Sequence, residues 1–109
     1  MKDLKYLPLF DAYGALLTGH QREVCELYYM CDLSLTEIAE QKGISKQSVS
    51  DTLAKSRVCL DEYEQKLRVV QTAQSMARAA ELLSAFSEKH PDFAEELAEI
   101  SVLLKGESF

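Results

Sequence analysis

Proline and glycine are scarce in this chain, with only two prolines and four glycines among 109 residues. No segment is of low complexity, so the sequence leaves little room for flexible linkers. It also lacks the valine-rich segments of alternating apolar and polar residues that are typical of strands. With a hydrophobic content of 47%, a chain of this length can bury one core but has no room for a second domain of ordinary size. We therefore predict an all-α protein.

Long apolar runs and paired cysteines are missing too. No stretch approaches the roughly 18 to 20 apolar residues that a membrane span requires, and Pro8 and Asp11 interrupt the apolar N-terminal stretch, which no small-residue cleavage site follows. An odd number of cysteines without paired spacing (Cys25, Cys31 and Cys59) is a poor disulfide framework and fits no common metal motif. We expect a cytoplasmic protein whose cysteines act as small apolar side chains.

Residue patterns that carry catalysis are also absent from the sequence. There is no glycine-rich phosphate loop, no Ser/His/Asp order and no convincing pair of carboxylates. His20 and His90 have no ligand-type residues at suitable spacing and fit capping or surface roles. We predict a protein that is not an enzyme and has no catalytic residue, cofactor or metal site.

What the sequence does contain is a segment, residues 33–53, with the spacing of a helix-turn-helix. Its small apolar core consists of Ile38, Ile44, Val49 and Leu53, with Ala39 where two crossing helices come closest. Gly43 follows the first helix at a position that often takes the left-handed conformation, which costs a residue with a Cβ about 1 kcal/mol or more. The pattern predicts a first helix over Leu35–Lys42 and a second starting at Lys46.

Capping residues precede both predicted helices. Ser34 and Glu37 have the three-residue spacing of a capping box, in which each side chain accepts a hydrogen bond from the other residue's backbone amide. Ser45 can accept a hydrogen bond from an amide of the following turn. These caps reinforce the interpretation of a helix-turn-helix.

The rest of the chain shows further helical patterns. They predict helices over residues 4–17, with Pro8 in or before the first turn, 20–31, 72–89 and 92–105. The helix starting at Lys46 is expected to continue for about 20 to 25 residues and to project beyond the small lobe. Its apolar positions recur at steps of four and three, as in a coiled-coil seam: Val49, Leu53, Ser56, Leu60, Tyr63, Leu67 and Val70.

Two parts of different character follow from these patterns. Residues 1–57 are predicted to form the helix-turn-helix lobe, and residues 58–109 a C-terminal helical extension. Because the C-terminal helices can bury their apolar faces only against the long helix or a second copy, we expect a homodimer through the extension. A monomeric bundle of five or six helices is the alternative.

The net charge of −6 counts against nucleic acid as a partner, since Lys and Arg supply most of the affinity for phosphate. Its distribution weakens that objection. Residues 1–57 carry seven basic and eight acidic side chains, whereas residues 58–109 carry five and ten. The segment 45–57 has three basic residues and one acidic residue, so an acidic extension could face away from DNA.

If this unit binds DNA, the start of its second helix enters the major groove. The residues expected to approach base edges are Lys46, Gln47, Ser50 and Asp51, and Gln47 could pair with adenine through two hydrogen bonds. The residues expected to contact phosphates are Ser45, Ser48, Lys55, Arg57 and Arg22. Arg22 could instead pair with Glu26 four residues on, and the polar helix face could simply be solvated.

The segment LSLTEIAEQKGISKQSV resembles the fourth-region DNA-binding domain of bacterial sigma factors, and QREVCELYY is similar to the helix before that motif. Over essentially all its residues, the chain most resembles the small YlxM-type family of sigma-like helix-turn-helix proteins. Lys42 departs from the leucine common in sigma domains, and its amine is expected to reach water while its stem covers the core. Thr18 and Gly19 stand at the start of the helix before the motif, where Leu-Pro is common.

The resemblance implies a bacterial protein connected with the signal recognition particle, since YlxM-type genes lie beside that of its GTPase. Our first hypothesis is a dimeric regulator that binds specific double-stranded DNA. The second is an adaptor that contacts protein or RNA of the signal recognition particle pathway without reading DNA sequence.

Overall fold

The computed structural model describes residue 2 and residues 4–106, and every regular element in this part of the chain is helical. The elements are α1 (Tyr6–Tyr13), a 3₁₀ turn (Gly14–Leu16), α2 (Gly19–Cys25), a π-helical segment (Glu26–Met30), α3 (Leu35–Lys42), α4 (Lys46–Leu67), α5 (Val69–Lys89), a second 3₁₀ turn (Pro91–Phe93) and α6 (Ala94–Leu104). The predicted all-α class, with a long helix and further C-terminal helices, is confirmed.

Two compact units divide the chain, one up to Val70 and one from Gln71. The boundary expected after residue 57 falls inside α4, which belongs as a whole to the first unit. An unbroken α-helix cannot bend sharply at that point without a proline, a bulge or an inserted group. The break in the helical backbone comes instead at Arg68, whose φ of 54° is left-handed.

The core of the first unit forms where α1, α2 and α3 meet α4. Its buried apolar side chains are Leu9, Tyr13, Leu17, Val24, Cys25, Ile38, Ala39, Val49, Leu53 and Leu60. Ser56, also fully buried, donates its hydroxyl to the carbonyl of Thr52 at 2.7 Å, so its polar atom does not lack a partner. Four consecutive seam positions of α4, from Val49 to Leu60, therefore face this core as predicted.

The distal part of α4 does not project from the lobe, and that expectation is wrong. Leu60 is fully buried, Tyr63 donates its hydroxyl to the carbonyl of Leu16, and Tyr13 donates its hydroxyl to Glu64. Of the last two predicted seam residues, Leu67 is 55% exposed, whereas Val70, beyond the end of α4, is half-buried and packs against the core. The apolar residues of the seam pack against α1 because α1 crosses this end of the helix.

The first helix before the motif is shorter than predicted, whereas helical backbone covers residues 19–30, close to the predicted 20–31. The helix expected over residues 4–17 ends as α1 at Tyr13, and α2 begins at Gly19 and gives way to π-helical backbone after Cys25. Thr18 caps α2, because its hydroxyl accepts from Gln21 N while the Gln21 side chain accepts from Thr18 N. This is a second capping box, and the Thr-x-x-Gln spacing in the sequence could have predicted it.

The second unit contains α6 and all but the first two residues of α5. Gly106, which follows the last helix, has a left-handed φ of 71°. No described side chain from Gln71 to Gly106 is fully buried. Large apolar side chains stay exposed on both helices, including Leu82, Phe86, Ile100 and Leu103.

Candidate nucleic-acid interface

The turn between α3 and α4 has the geometry that its sequence predicts. Gly43 ends α3 with φ 69° and ψ 34°, and the amide of Ile44 donates to the carbonyl of Ala39. Such left-handed endings satisfy carbonyls that the last helical turn leaves free. The turn therefore takes three residues, and α4 begins directly at Lys46.

Both predicted caps are present. The hydroxyl of Ser34 accepts from Glu37 N at 3.1 Å, and the Glu37 carboxylate accepts from Ser34 N at 3.0 Å. The hydrogen bond from the Ser34 amide to the carboxylate, and then the Ser34 side chain, hold the pKa of Glu37 below its ordinary value. Ser45 accepts from Ser48 N at 3.0 Å. The starts of α3 and α4 are fixed by these local hydrogen bonds.

The first two turns of α4 present four residues that we call the reader face: Lys46, Gln47, Ser50 and Asp51. Lys46, Gln47 and Asp51 are exposed and Ser50 is half-buried. The opposite side of the same turns is closed, since Val49 and Leu53 are buried against α3 and the rest of the core. The helix thus turns its polar side chains outward and its apolar side chains inward.

Two side chains of the reader face bind each other. Gln47 Nε2 donates to Asp51 Oδ1 at 2.9 Å, across one helical turn. In the part of the chain that the structure describes, Asp51 makes no ion pair with Lys55, although Lys55 lies four residues further on and is exposed. The partner of the carboxylate on this face is therefore the glutamine amide and not Lys55.

Among the residues expected to contact phosphates, Ser45, Lys55 and Arg22 are exposed and Ser48 is half-buried. The alternative that Arg22 pairs with Glu26 has no support, since no ion pair joins them within the described residues. The Arg22 guanidinium is accessible at the surface of α2.

Arg57 has a different environment from these residues. It is half-buried, its Nε donates to the Tyr29 hydroxyl at 2.9 Å, and its guanidinium lies 5.9 Å from the ring centroids of both Tyr6 and Tyr28. Burial lowers the pKa of Arg57, but the hydrogen bond and the charge interaction with Tyr29 outweigh it and leave this pKa raised. Arg57 thus connects α4 to α1 and to the π-helical segment.

Lys42, the residue that departs from the sigma pattern, forms an ion pair with Glu23 of α2. Only 19% of the Lys42 side chain is exposed, as expected for a stem that covers the core, and its amine lies at the surface beside the exposed Glu23 carboxylate. The hydrogen bond and the charge of Lys42 lower the pKa of Glu23. The ion pair is a polar contact between α2 and α3.

The sequence did not reveal the role of Lys2. Its Nζ donates to the carbonyls of Tyr28 and Leu33 and lies 3.1 Å from the Asp32 carboxylate. Asp32 has a left-handed φ of 56° at the end of the π-helical segment, a conformation that Asp tolerates better than most residues. The contacts join residues at least 26 positions apart, so no local spacing could have predicted them.

Other kinds of site find little support in the described residues. No group of three or more His, Cys, Asp or Glu side chains there could hold a metal ion, and no helix is both long and apolar enough to cross a bilayer. Burial raises the pKa of the Cys25 thiol, which disfavours the reactive thiolate.

Comparison with known proteins gives the same interpretation of the motif. A family model described as "Putative helix-turn-helix protein, YlxM / p13 like" matches residues 1–100. UPF0122 proteins of Bacillus cereus (strain AH187), Bacillus anthracis (strain A0248) and Bacillus thuringiensis (strain 97-27) are each 39% identical over 92 residues, which cover 84% of this chain and 84% of each relative. The matched description is of a helix-turn-helix protein and not of an enzyme. The resemblance stated from the sequence is confirmed: the chain belongs to the UPF0122 family of YlxM/p13-like helix-turn-helix proteins.

Proposed function

We propose that this protein is a regulatory protein that binds specific sites on double-stranded DNA. The observation that carries the proposal is the exposed reader face at the start of α4, held outward by a capped, left-handed turn. A recognition helix enters the major groove with its N-terminal residues toward the base edges. Lys46, Gln47, Ser50 and Asp51 are then the base-contacting residues.

Phosphate contacts come from the surface around this helix start. Ser45, Ser48, Lys55 and Arg22 are assigned to the backbone of the duplex, whereas Arg57 is assigned to the protein's own packing because its guanidinium is bound by tyrosines. The DNA association constant should fall as salt rises, because three cations can contact phosphates: Arg22, Lys46 and Lys55. The expected slope of its logarithm against the logarithm of the salt concentration lies between about −1 and −3 for each protomer.

Enrichment of bound sequences from a random duplex library tests this function. We expect one motif to emerge with the unaltered protein, and we expect Gln47→Ala to lose selectivity at one position of that motif. Bound sequences that match the starting library, or no retained duplex at low salt, would overturn the proposal.

We further propose that the protein is a homodimer through its C-terminal extension. The support is physical: a pair of helices without one fully buried side chain is a poor independent unit, whereas two such pairs can form a four-helix bundle. Leu82, Phe86, Ile100 and Leu103 supply apolar surface for it. The extension predicted as residues 58–109 would then use its part beyond Val70, and each dimer would carry two reader faces.

Sedimentation analysis at micromolar concentration tests the dimer. The unaltered protein is expected to sediment at twice the mass of the chain, and the double variant Leu82→Glu/Leu103→Glu at its single mass. Met30→Glu, a matched change at an exposed apolar residue of the first unit, should stay dimeric. A monomeric unaltered protein would refute this part of the proposal.

A second candidate function is an adaptor in the cytoplasmic signal recognition particle pathway, as the YlxM resemblance implies. The observation that favours it is the surplus of acidic side chains in residues 58–109, which suits a basic partner surface. Tagged protein should then retain the targeting GTPase or its RNA at physiological salt. Retention of neither would dismiss the adaptor.

A further inference from the structure

We infer that Asp51 is a specificity-determining residue that positions Gln47, and that the two side chains together select a base with an exocyclic amine in the major groove. The inference rests on the proposed DNA-binding function. It starts from the hydrogen bond between Gln47 Nε2 and Asp51 Oδ1 at 2.9 Å. This bond decides which atoms of the pair can face a base.

The glutamine amide has two N–H donors and one carbonyl acceptor. One donor is used by Asp51, so the pair offers a base edge one remaining N–H, the Gln47 carbonyl and the second carboxylate oxygen. It therefore presents more acceptors than donors. Without Asp51, the amide could rotate and present both of its N–H groups.

Base edges respond differently to such a surface. Adenine presents an amine donor and the N7 acceptor, which match the Gln47 carbonyl and its free N–H, and cytosine presents an amine that a carboxylate accepts. Guanine presents two acceptors, O6 and N7, and thymine presents the O4 acceptor and a methyl group. Both would meet the oxygens of the pair, so Asp51 excludes guanine and thymine at the position that Gln47 reads.

The charge around Asp51 supports this role. Lys55 could neutralise the carboxylate from the next turn, but the two form no ion pair among the described residues. The carboxylate thus remains a full acceptor beside the amide. Lys46, on the same turn as Gln47, is a pure donor and suits guanine or a phosphate at a different position.

The test measures binding to the enriched site and to duplexes carrying each of the other bases at each position, by competition at one salt concentration. The protein is compared with Asp51→Asn, Asp51→Glu and Glu62→Gln. Asn can donate as well as accept, whereas Glu keeps a carboxylate within reach of Gln47. Glu62→Gln is the matched control, because it removes one negative charge from an exposed residue at the other end of α4.

The unaltered protein is expected to prefer adenine or cytosine at one position by about tenfold or more over guanine. Asp51→Asn should lose most of that preference at this position only, Asp51→Glu should restore it, and Glu62→Gln should leave it unchanged. If Asp51→Asn and Glu62→Gln shift the affinity for all bases equally, Asp51 acts only through its charge and the inference is wrong. Unaltered protein that binds no duplex would instead refute the proposed function itself.

Discussion

Replacement of Gly43 by alanine isolates the geometry on which the turn depends. An added Cβ at Gly43 would meet no atom within 4 Å, so the change creates no clash. What remains is the left-handed φ of 69°, which costs a residue with a Cβ about 1–2 kcal/mol. Part of this cost is offset because alanine loses less backbone entropy than glycine on folding. We expect Gly43→Ala to lower the free energy of unfolding by about 1 kcal/mol.

Gly19 provides the matched control. A Cβ there also has open space, but Gly19 is the first residue of α2 and has helical backbone. Alanine is preferred over glycine in helices, so Gly19→Ala is expected to stabilise the protein by up to about 0.5–1 kcal/mol. The same chemical change should therefore have opposite signs at the two positions.

Chemical and thermal denaturation followed by circular dichroism measure both variants. In a unit of this size a change of 1 kcal/mol moves the midpoint temperature by roughly 4–8 °C, so Gly43→Ala should melt several degrees below the unaltered protein and Gly19→Ala slightly above it. Equal shifts of the same sign would refute the argument, because they would show that the conformation at Gly43 carries no special cost.

Three further predictions concern the packing around α4 and the caps. Tyr13→Phe removes a part-buried hydroxyl that donates to a carboxylate of α4 and accepts from the first backbone amide of α5. We expect a measurable loss of stability by urea unfolding, and a smaller loss for the exposed hydrogen bond removed in Tyr63→Phe. Arg57→Gln should destabilise the protein by about 1–2 kcal/mol and leave the salt slope of DNA binding unchanged. Lys55→Gln should instead reduce that slope by about 0.9 with little effect on stability. A reduced salt slope in Arg57→Gln and an unchanged one in Lys55→Gln would place Arg57 at the phosphates. The pKa of Glu37 is lowered in the folded state, so the carboxylate stabilises the protein above its unfolded pKa near 4.5, and this contribution is lost as the pH falls through its folded pKa. Glu37→Gln should therefore reduce the loss of stability at acid pH. An unchanged dependence of stability on acid pH would contradict the capping box as the origin of the pKa shift.

Local chemistry explains why the helix-turn-helix could be predicted from the sequence. Gly43, Ser34 and Ser45 act on residues within five positions of themselves, so their roles are visible in the spacing of the residues. The apolar period of α4 likewise predicted the buried positions from Val49 to Leu60. Both kinds of signal depend on helical geometry alone, which does not require knowledge of the tertiary fold.

Contacts between distant elements could not be predicted in the same way. Arg57 was predicted to contact phosphate because three of the four charged side chains in its segment are basic. The segment gave no sign of its tyrosine partners on α1 and in the π-helical segment. The end of α4 was expected to project because nothing in the local pattern shows that α1 crosses it. The ion pair of Lys42 with Glu23 joins residues 19 positions apart, beyond any helical period.

The most direct test of the DNA-binding account is the salt dependence of fluorescence anisotropy with a labelled duplex. The double variant Lys46→Ala/Gln47→Ala is compared with Lys66→Ala/Gln65→Ala, which makes the same two changes at exposed residues near the far end of α4. We predict binding by the unaltered protein at about 50 mM salt that weakens steadily as salt rises, a marked loss in the first variant and none in the second. No binding at that salt, or equal affinity of the two variants, would contradict the account.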